Sequence, residues 1–218
     1  DPKSPIQRFN RMVEICSPKL IFYYQDNQSI INEYYSNTIE LLDYTNSKLI
    51  TSLNQSEEFP SYNYEVTSNT PASIMFTSGS TGFPKGVVIS HQNVLNFIEW
   101  SKATYKTTTN DIFTNINPMH FDNSVFDFYS ALFTGASIIP VGDSLTRNPR
   151  KLLDVLNQLN PTIWFSVPSM LVYMLNMRAL TETDLSLLRI VTYGGEGFPK
   201  NQLRKLWKYW GHRVRFVN

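Results

Sequence analysis

Short apolar runs alternate with segments of helical period along most of this chain, and that alternation leaves few folds open to it. Residues 72–76, 87–89, 112–117, 137–141, 162–167, 188–192 and 214–217 read as strands. Residues 93–105, 124–133, 149–159, 168–176 and 202–210 read as helices, with Val94, Phe97, Ile98 and Ala103 toward one side of the first. Pro149 suits a first helical turn, and Gly135 follows 124–133 as a stop. Strands separated by helices cross over and run parallel, whereas an antiparallel return needs only a short turn. The expected fold class is α/β, with mostly parallel sheet and crossover helices. Nearer the N-terminus, 19–24 reads as a buried strand, 29–35 as a short helix and 48–50 as a strand. The polar stretch 54–70 reads as an exposed connector, and no fixed-period repeat is present.

Composition removes several classes of function. With 42% apolar and 17% charged residues, the 218-residue chain can bury a core and is not a disordered polyelectrolyte. A formal net charge of +1 supplies no basic field for nucleic acid or an anionic membrane, so neither is expected as a partner. No apolar run approaches the roughly 18 residues of a membrane span. Cys16 is the single cysteine, so no internal disulfide can form, and no Cys/His set has zinc-ligand spacing. No metal ligands are assigned, and a reducing cytoplasm is the expected setting.

The chemistry-bearing segment is Thr77-Ser78-Gly79-Ser80-Thr81-Gly82-Phe83-Pro84-Lys85-Gly86, set between the strands 72–76 and 87–89. Its three glycines let a backbone approach an anion closely. Successive free N–H groups and four hydroxyls can form an anion-binding nest, and Lys85 adds a point charge suited to phosphate. The order differs from a Walker loop, because Pro84 precedes Lys85 and a strand follows. A plain Gly/Ser hairpin turn with a solvated lysine is the simpler alternative.

Residues 76–86 closely resemble the phosphate-loop signature of the adenylate-forming (AMP-binding) superfamily, which includes acyl- and aryl-CoA ligases, luciferases and amino-acid adenylation domains. Three further segments resemble the same family in order. Asp1-Pro2-Lys3-Ser4-Pro5 with Arg8 and Met12 looks like the tail of "DPxxPxxR". Phe121-Asp122-Asn123-Ser124-Val125 looks like "FDxSV", and Leu188-Arg189-Ile190-Val191 through Gly194-Gly195-Glu196 like "LRxVxxGGE". The pattern is most similar to adenylation domains of nonribosomal peptide synthetases and to D-alanine–carrier-protein ligases.

The resemblance implies attack of a substrate carboxylate on the α-phosphate of ATP, giving an acyl-adenylate and pyrophosphate. It implies that Thr77, Ser78, Gly79, Ser80, Thr81 and Gly82 hold the β- and γ-phosphates, with Lys85 as the catalytic cation. Asp122 would pair with a substrate α-ammonium, which points to an amino acid; fatty- and aryl-acid ligases generally lack that aspartate. Asp is also a good helix N-cap, so Asp122 can equally cap the helix that follows, and the roles are compatible. Asn123, Phe126, Phe165, Thr192 and Gly194 would line the substrate pocket, although Phe126 and Phe165 also read as ordinary core residues. Gly195 and Glu196 would lie against the adenine, the alternative being a strand-ending turn. His91 and His120 read as structural, and Trp207 and Trp210 as packing residues beside Leu203 and Leu206.

The resemblance also frames residues 1–218 as a fragment of the large N-terminal adenylation domain. The family's "YGPTE" segment is not found in the chain, and the small C-terminal domain with its lysine is expected to be absent too. Magnesium ligands would lie in that missing part. The implied partners are an amino acid or other carboxylic acid and a carrier protein with a phosphopantetheine arm. An acyl-CoA synthetase of the same superfamily and a non-catalytic binding module are the alternatives. The 218 residues alone are expected to support no ATP–pyrophosphate exchange and only weak nucleotide binding; robust exchange by the isolated chain would overturn that expectation.

Overall fold

The alternation read from the sequence becomes a five-stranded, wholly parallel sheet in the second half of the chain. The computed structural model describes residues 4–23, 39–43, 45, 65–77 and 83–218. Its contacts divide into two units, Asp1–His91 and Gln92–Asn218.

In the first unit, helix α1 (Ile6–Cys16) precedes β1 (Leu20–Tyr23), which pairs in parallel with β2 (Glu40–Asp43). Strands β3 (Pro71–Thr77) and β4 (Lys85–Ser90) form an antiparallel hairpin closed at Thr77↔Lys85. Gly86 lies opposite Phe76 in that ladder, and a Cβ there would come within 3.1 Å of Ile74 Cγ2. A glycine therefore lets the hairpin close at its mouth. The buried strand expected at 19–24 is only half-buried, with Phe22 exposed. Among the described residues β1 has one neighbouring strand, β2. The helix at 29–35 and the strand at 48–50 fall outside the described residues, as does 54–64 of the connector.

Helix α2 (His91–Tyr105), in the second unit from Gln92 onward, is followed by β5 (Ile112–Asn115), α3 (Asn123–Thr134) and β6 (Ser137–Pro140). Then come α4 (Asp143–Thr146), α5 (Pro149–Leu159), β7 (Ile163–Ser166), α6 (Pro168–Asn176), β8 (Ile190–Tyr193), α7 (Lys200–Trp210) and β9 (Arg215–Val217). The strand order is β6-β5-β7-β8-β9. Every residue of β7 is buried, as a central parallel strand requires. On one face Phe113, Ile163, Phe165 and Ile190 pack with Tyr105 and Phe126 from α2 and α3. On the other, Trp164 and Val191 pack with Leu152, Leu156, Leu171 and Leu206 from α5, α6 and α7.

Local chemistry sets the helix ends. Asn148 accepts a hydrogen bond from Lys151 N–H, Pro149 starts α5, and Asn160 leaves it in the left-handed region. Gly135 ends α3 at φ 69°, and Ala136 N–H returns to Ala131 O. In α7, Trp210 is fully buried, whereas Trp207 is 56% exposed and meets Phe216 with ring centroids 5.5 Å apart. Leu203, Leu206 and Trp210 follow the buried stripe, and Trp207 falls one step off it.

Three residues that immediately precede β5, β7 and β8 are joined in one polar clasp. Arg189 donates from Nε to Asp111 Oδ1 and from Nη2 to Asp111 Oδ2, each at 2.8 Å. Thr162 Oγ1 donates to Asp111 Oδ1 at 2.7 Å and accepts from Ile112 N–H at 2.9 Å. Burial alone would raise the Asp111 carboxyl, but hydrogen bonds from Arg189, Thr162 and Thr108 outweigh it and hold the group below the ordinary carboxylate value.

Removing this charge has a predicted cost. The Arg189 side chain is 37% exposed and that of Asp111 5%, so Asp111→Asn should destabilise by about 2 kcal/mol, between exposed and buried pairs. A folded pKa below the unfolded value of about 3.9 makes this contribution complete above that pH, and it is lost as pH falls through the folded value. Urea titrations of wild type and Asp111→Asn should differ at neutral pH and converge in strong acid. An equal gap at both would remove the charge from the account.

Candidate functional site

The chain passes from β5 to β6 on one side and then crosses back to β7 on the other, so the strand order reverses between β5 and β7. Crevices outside the carboxyl ends of parallel strands at such a reversal are where α/β sheets bind ligands. A cavity of about 790 Å³ opens there, walled by residues that follow β5, β7 and β8, among them Asn117, Asp122, Asn123, Tyr173, Gly195 and Glu196. Its size suits a small organic ligand.

Asp122 sits at the N-cap position of α3 with helical backbone angles and makes no capping hydrogen bond. Its side chain forms no hydrogen bond or ion pair among the described residues and is exposed to the cavity. The capping alternative is thus not realised. Ser124 Oγ instead donates to Phe121 O at 2.7 Å and to Met119 O at 3.3 Å, folding the segment before α3 back on itself. Asn123 faces Gly195, whose hypothetical Cβ would lie 3.5 Å from Asn123 Nδ2.

Phe126 and Phe165 meet edge to face, with centroids 5.4 Å apart. Phe165 is in register with Thr192, and a Cβ on Gly194 would lie 4.0 Å from its ring. The sequence-predicted substrate residues therefore form one cluster on α3, β7 and the end of β8. Only Asp122 and Asn123 of that set line the cavity; Phe126, Phe165 and Thr192 are buried in the layer behind it. Thr192 Oγ1 has no hydrogen-bond partner among the described residues.

Gly195 and Glu196 do line the cavity. Gly195 has φ 85°, a conformation that costs a residue with a side chain and that glycine adopts freely. Glu196 Oε2 accepts from Ser169 N–H at 3.2 Å, so its carboxylate caps the first turn of α6. The strand-ending turn and the cavity wall are one feature.

In the first unit, Thr77 and Lys85 face each other at the hairpin mouth. Lys85 is exposed and makes no ion pair among the described residues. Ser78, Gly79, Ser80, Thr81 and Gly82 lie outside the described residues.

One polar group was not anticipated. Asp127 of α3 is fully buried, and its Oδ2 accepts from Asn117 Nδ2 at 3.1 Å and Asn115 Nδ2 at 3.4 Å. Its Oδ1 has no hydrogen-bond partner among the described residues. Burial pushes this carboxyl well above the usual carboxylate range, against the opposing pull of the two amides. The sequence carried a signal for it. Ser124, Asp127 and Ala131 are spaced three and four apart on the stripe of α3 that packs inward.

A family model described as AMP-binding enzyme matches residues 1–218. This chain belongs to the AMP-binding enzymes. It is 43% identical over 135 residues to the L-proline--[L-prolyl-carrier protein] ligase of Pseudomonas fluorescens, covering 62% of this chain and 27% of that one. It is 34% identical over 133 residues to the D-alanine--D-alanyl carrier protein ligase of Bacillus cytotoxicus, covering 61% and 26%. The aligned stretch spans about a quarter of the length of either relative. Among solved structures, the fatty acyl-adenylate ligase from L. pneumophila, in complex with acyl adenylate and pyrophosphate, matches with a TM-score of 0.79. That match covers 99% of this chain and 38% of the other at 20% identity, and it establishes the fold alone.

Membership of the AMP-binding enzymes implies use of ATP. Within the second unit, the cavity wall carries a glycine turn of positive φ, where backbone can approach a ligand closely. Among the described residues, no group of three or more His, Cys, Asp or Glu is arranged to hold a metal ion, and no helix is long and apolar enough to cross a membrane. Replacing Gly195 with Ala should destabilise the protein by about 1–2 kcal/mol through its left-handed backbone. A melting temperature unchanged from wild type would contradict that.

Proposed function

We propose that the enzyme carrying this chain activates an amino acid as its aminoacyl-adenylate and passes the acyl group to a carrier-protein thiol. The observation that carries this reading is Asp122, a carboxylate without a partner among the described residues, exposed to the switch-point cavity. A carboxylate so placed can pair with an α-ammonium and orient the substrate's own carboxylate for reaction. The Phe126–Phe165 pair behind it supplies an apolar backing.

In the proposed reaction, a substrate carboxylate oxygen attacks the α-phosphorus of ATP and pyrophosphate leaves. Catalysis of this kind rests on positioning and on stabilising charge that develops on the leaving group. Lys85 is the cation assigned to that charge, with Thr77, Ser78, Gly79, Ser80, Thr81 and Gly82 assigned to the phosphates. Asp122, Asn123, Phe126, Phe165, Thr192 and Gly194 are assigned to the amino acid, and Gly195 and Glu196 to the adenine side. Magnesium, where bound, would help neutralise the phosphates. The names of the relatives support the carrier step, since both are ligases acting on carrier proteins.

The test is ATP–pyrophosphate exchange by the full-length enzyme across a panel of amino acids. Loss of a charged hydrogen bond is worth about 1.5–3 kcal/mol, so Asp122→Ala should lower kcat/KM for the amino acid roughly 10- to 150-fold. Lys85→Ala should lower kcat with little change in the KM for the amino acid, as expected of an interaction made with the leaving group. A wild-type preference for desamino acids would sink the amino-acid assignment.

A further inference from the structure

Asp127 has no role in the reaction just described, and its burial is costly. A fully buried carboxyl with one oxygen lacking a partner is expensive, and an apolar residue of similar volume would serve packing at lower cost. Its hydrogen bonds connect it to the cavity wall. Asn117 Nδ2, donating to Asp127 Oδ2 at 3.1 Å, also donates to Phe165 O at 3.1 Å. Asn117 thus ties the start of the β5–α3 segment both to α3 and to the carboxyl end of β7. Asn115 Nδ2 reinforces the knot with bonds of 3.4 Å to Asp127 Oδ2 and to Asn117 O.

Asp122 stands at the far end of this same segment. Between Asn117 and Asp122 the chain is held by Phe121 N–H to Pro118 O at 2.9 Å and by Ser124 Oγ to Phe121 O at 2.7 Å. The segment is therefore clamped at two points, by Asn117 at its start and by Ser124 just past its end. Asp127 anchors the first clamp from the helix that Asp122 begins. A turn of α3 or a slip of the segment would move Asp122 relative to Phe165.

We propose that Asp127 is a positioning residue for amino-acid recognition: through Asn117 it fixes the β5–α3 segment relative to the end of β7, so that Asp122 is held where it meets the substrate ammonium. This rests on the amino-acid reading above. Asp127 touches no substrate and acts only through Asn117 and the segment.

The test uses the full-length enzyme and measures kcat/KM for an activated amino acid and for its desamino analogue, with the KM for ATP alongside. Misplacing a binding group by about 1 Å can cost up to roughly a hundredfold, so Asp127→Ala should reduce the preference for the amino acid about tenfold or more. The KM for ATP should stay within about twofold. Asp127→Asn keeps an acceptor for Asn117 and should restore the preference to near wild type. Asn117→Ala cuts the same tether from its other end and should reproduce the loss, which keeps the test decisive if Asp127→Ala fails to fold. Equal falls in activity toward both acids, or an unchanged preference in Asp127→Ala and Asn117→Ala, would overturn the proposal. The wild-type preference itself reports separately on the amino-acid reading, which fails if the desamino acid is favoured.

Discussion

At the starts of β5, β7 and β8, three residues far apart in sequence share one carboxylate. Asp111, Thr162 and Arg189 each stand one position before a strand, and the bidentate guanidinium and the threonine hydroxyl converge on Asp111. Arg189 Nη1 also reaches Tyr105 O at 3.0 Å, which brings the end of α2 into the same knot. Parallel strands joined by crossovers have no hairpin to set their register, so a side-chain clasp of this kind helps to fix it. With the amino ends drawn together, the carboxyl ends are left to loops. The cavity lies at that end of the sheet, where the order reverses between β5 and β7.

The central sheet was legible because each of its strands is a short apolar run bounded by turn residues, and each crossover helix keeps its period. The 149–159 helix matches to the residue, since Asn148, Pro149 and Asn160 punctuate it chemically. Elements with weaker punctuation escaped. Helix α1 has Pro5 before it but no side-chain cap, and α4 is only four residues long. Strand β2 shares the mixed polarity of its surroundings.

The site was legible in a different way. The resemblance in "FDxSV" and "LRxVxxGGE" named residues that the fold gathers at one end of the sheet, from α3, β7 and the turn after β8. What it could not supply was depth. Phe126, Phe165 and Thr192 prove to be buried behind the cavity, and Asp122 and Asn123 to be in its wall. Asp127 is less legible, because a charged residue between Phe126 and Phe128 reads as a solvated position until neighbours close over it. Its place on the Ser124–Ala131 stripe is visible only when helical period is applied to polar residues as well as apolar ones.

The proposed amino-acid chemistry depends on what Asp122 binds. The most direct measurement is a crystal structure of the full-length enzyme with a non-hydrolysable aminoacyl-adenylate analogue of its preferred substrate. The α-ammonium nitrogen should lie within about 3 Å of the Asp122 carboxylate, the distance of a charge-assisted hydrogen bond. An ammonium held by other groups, with Asp122 facing only solvent, would contradict it.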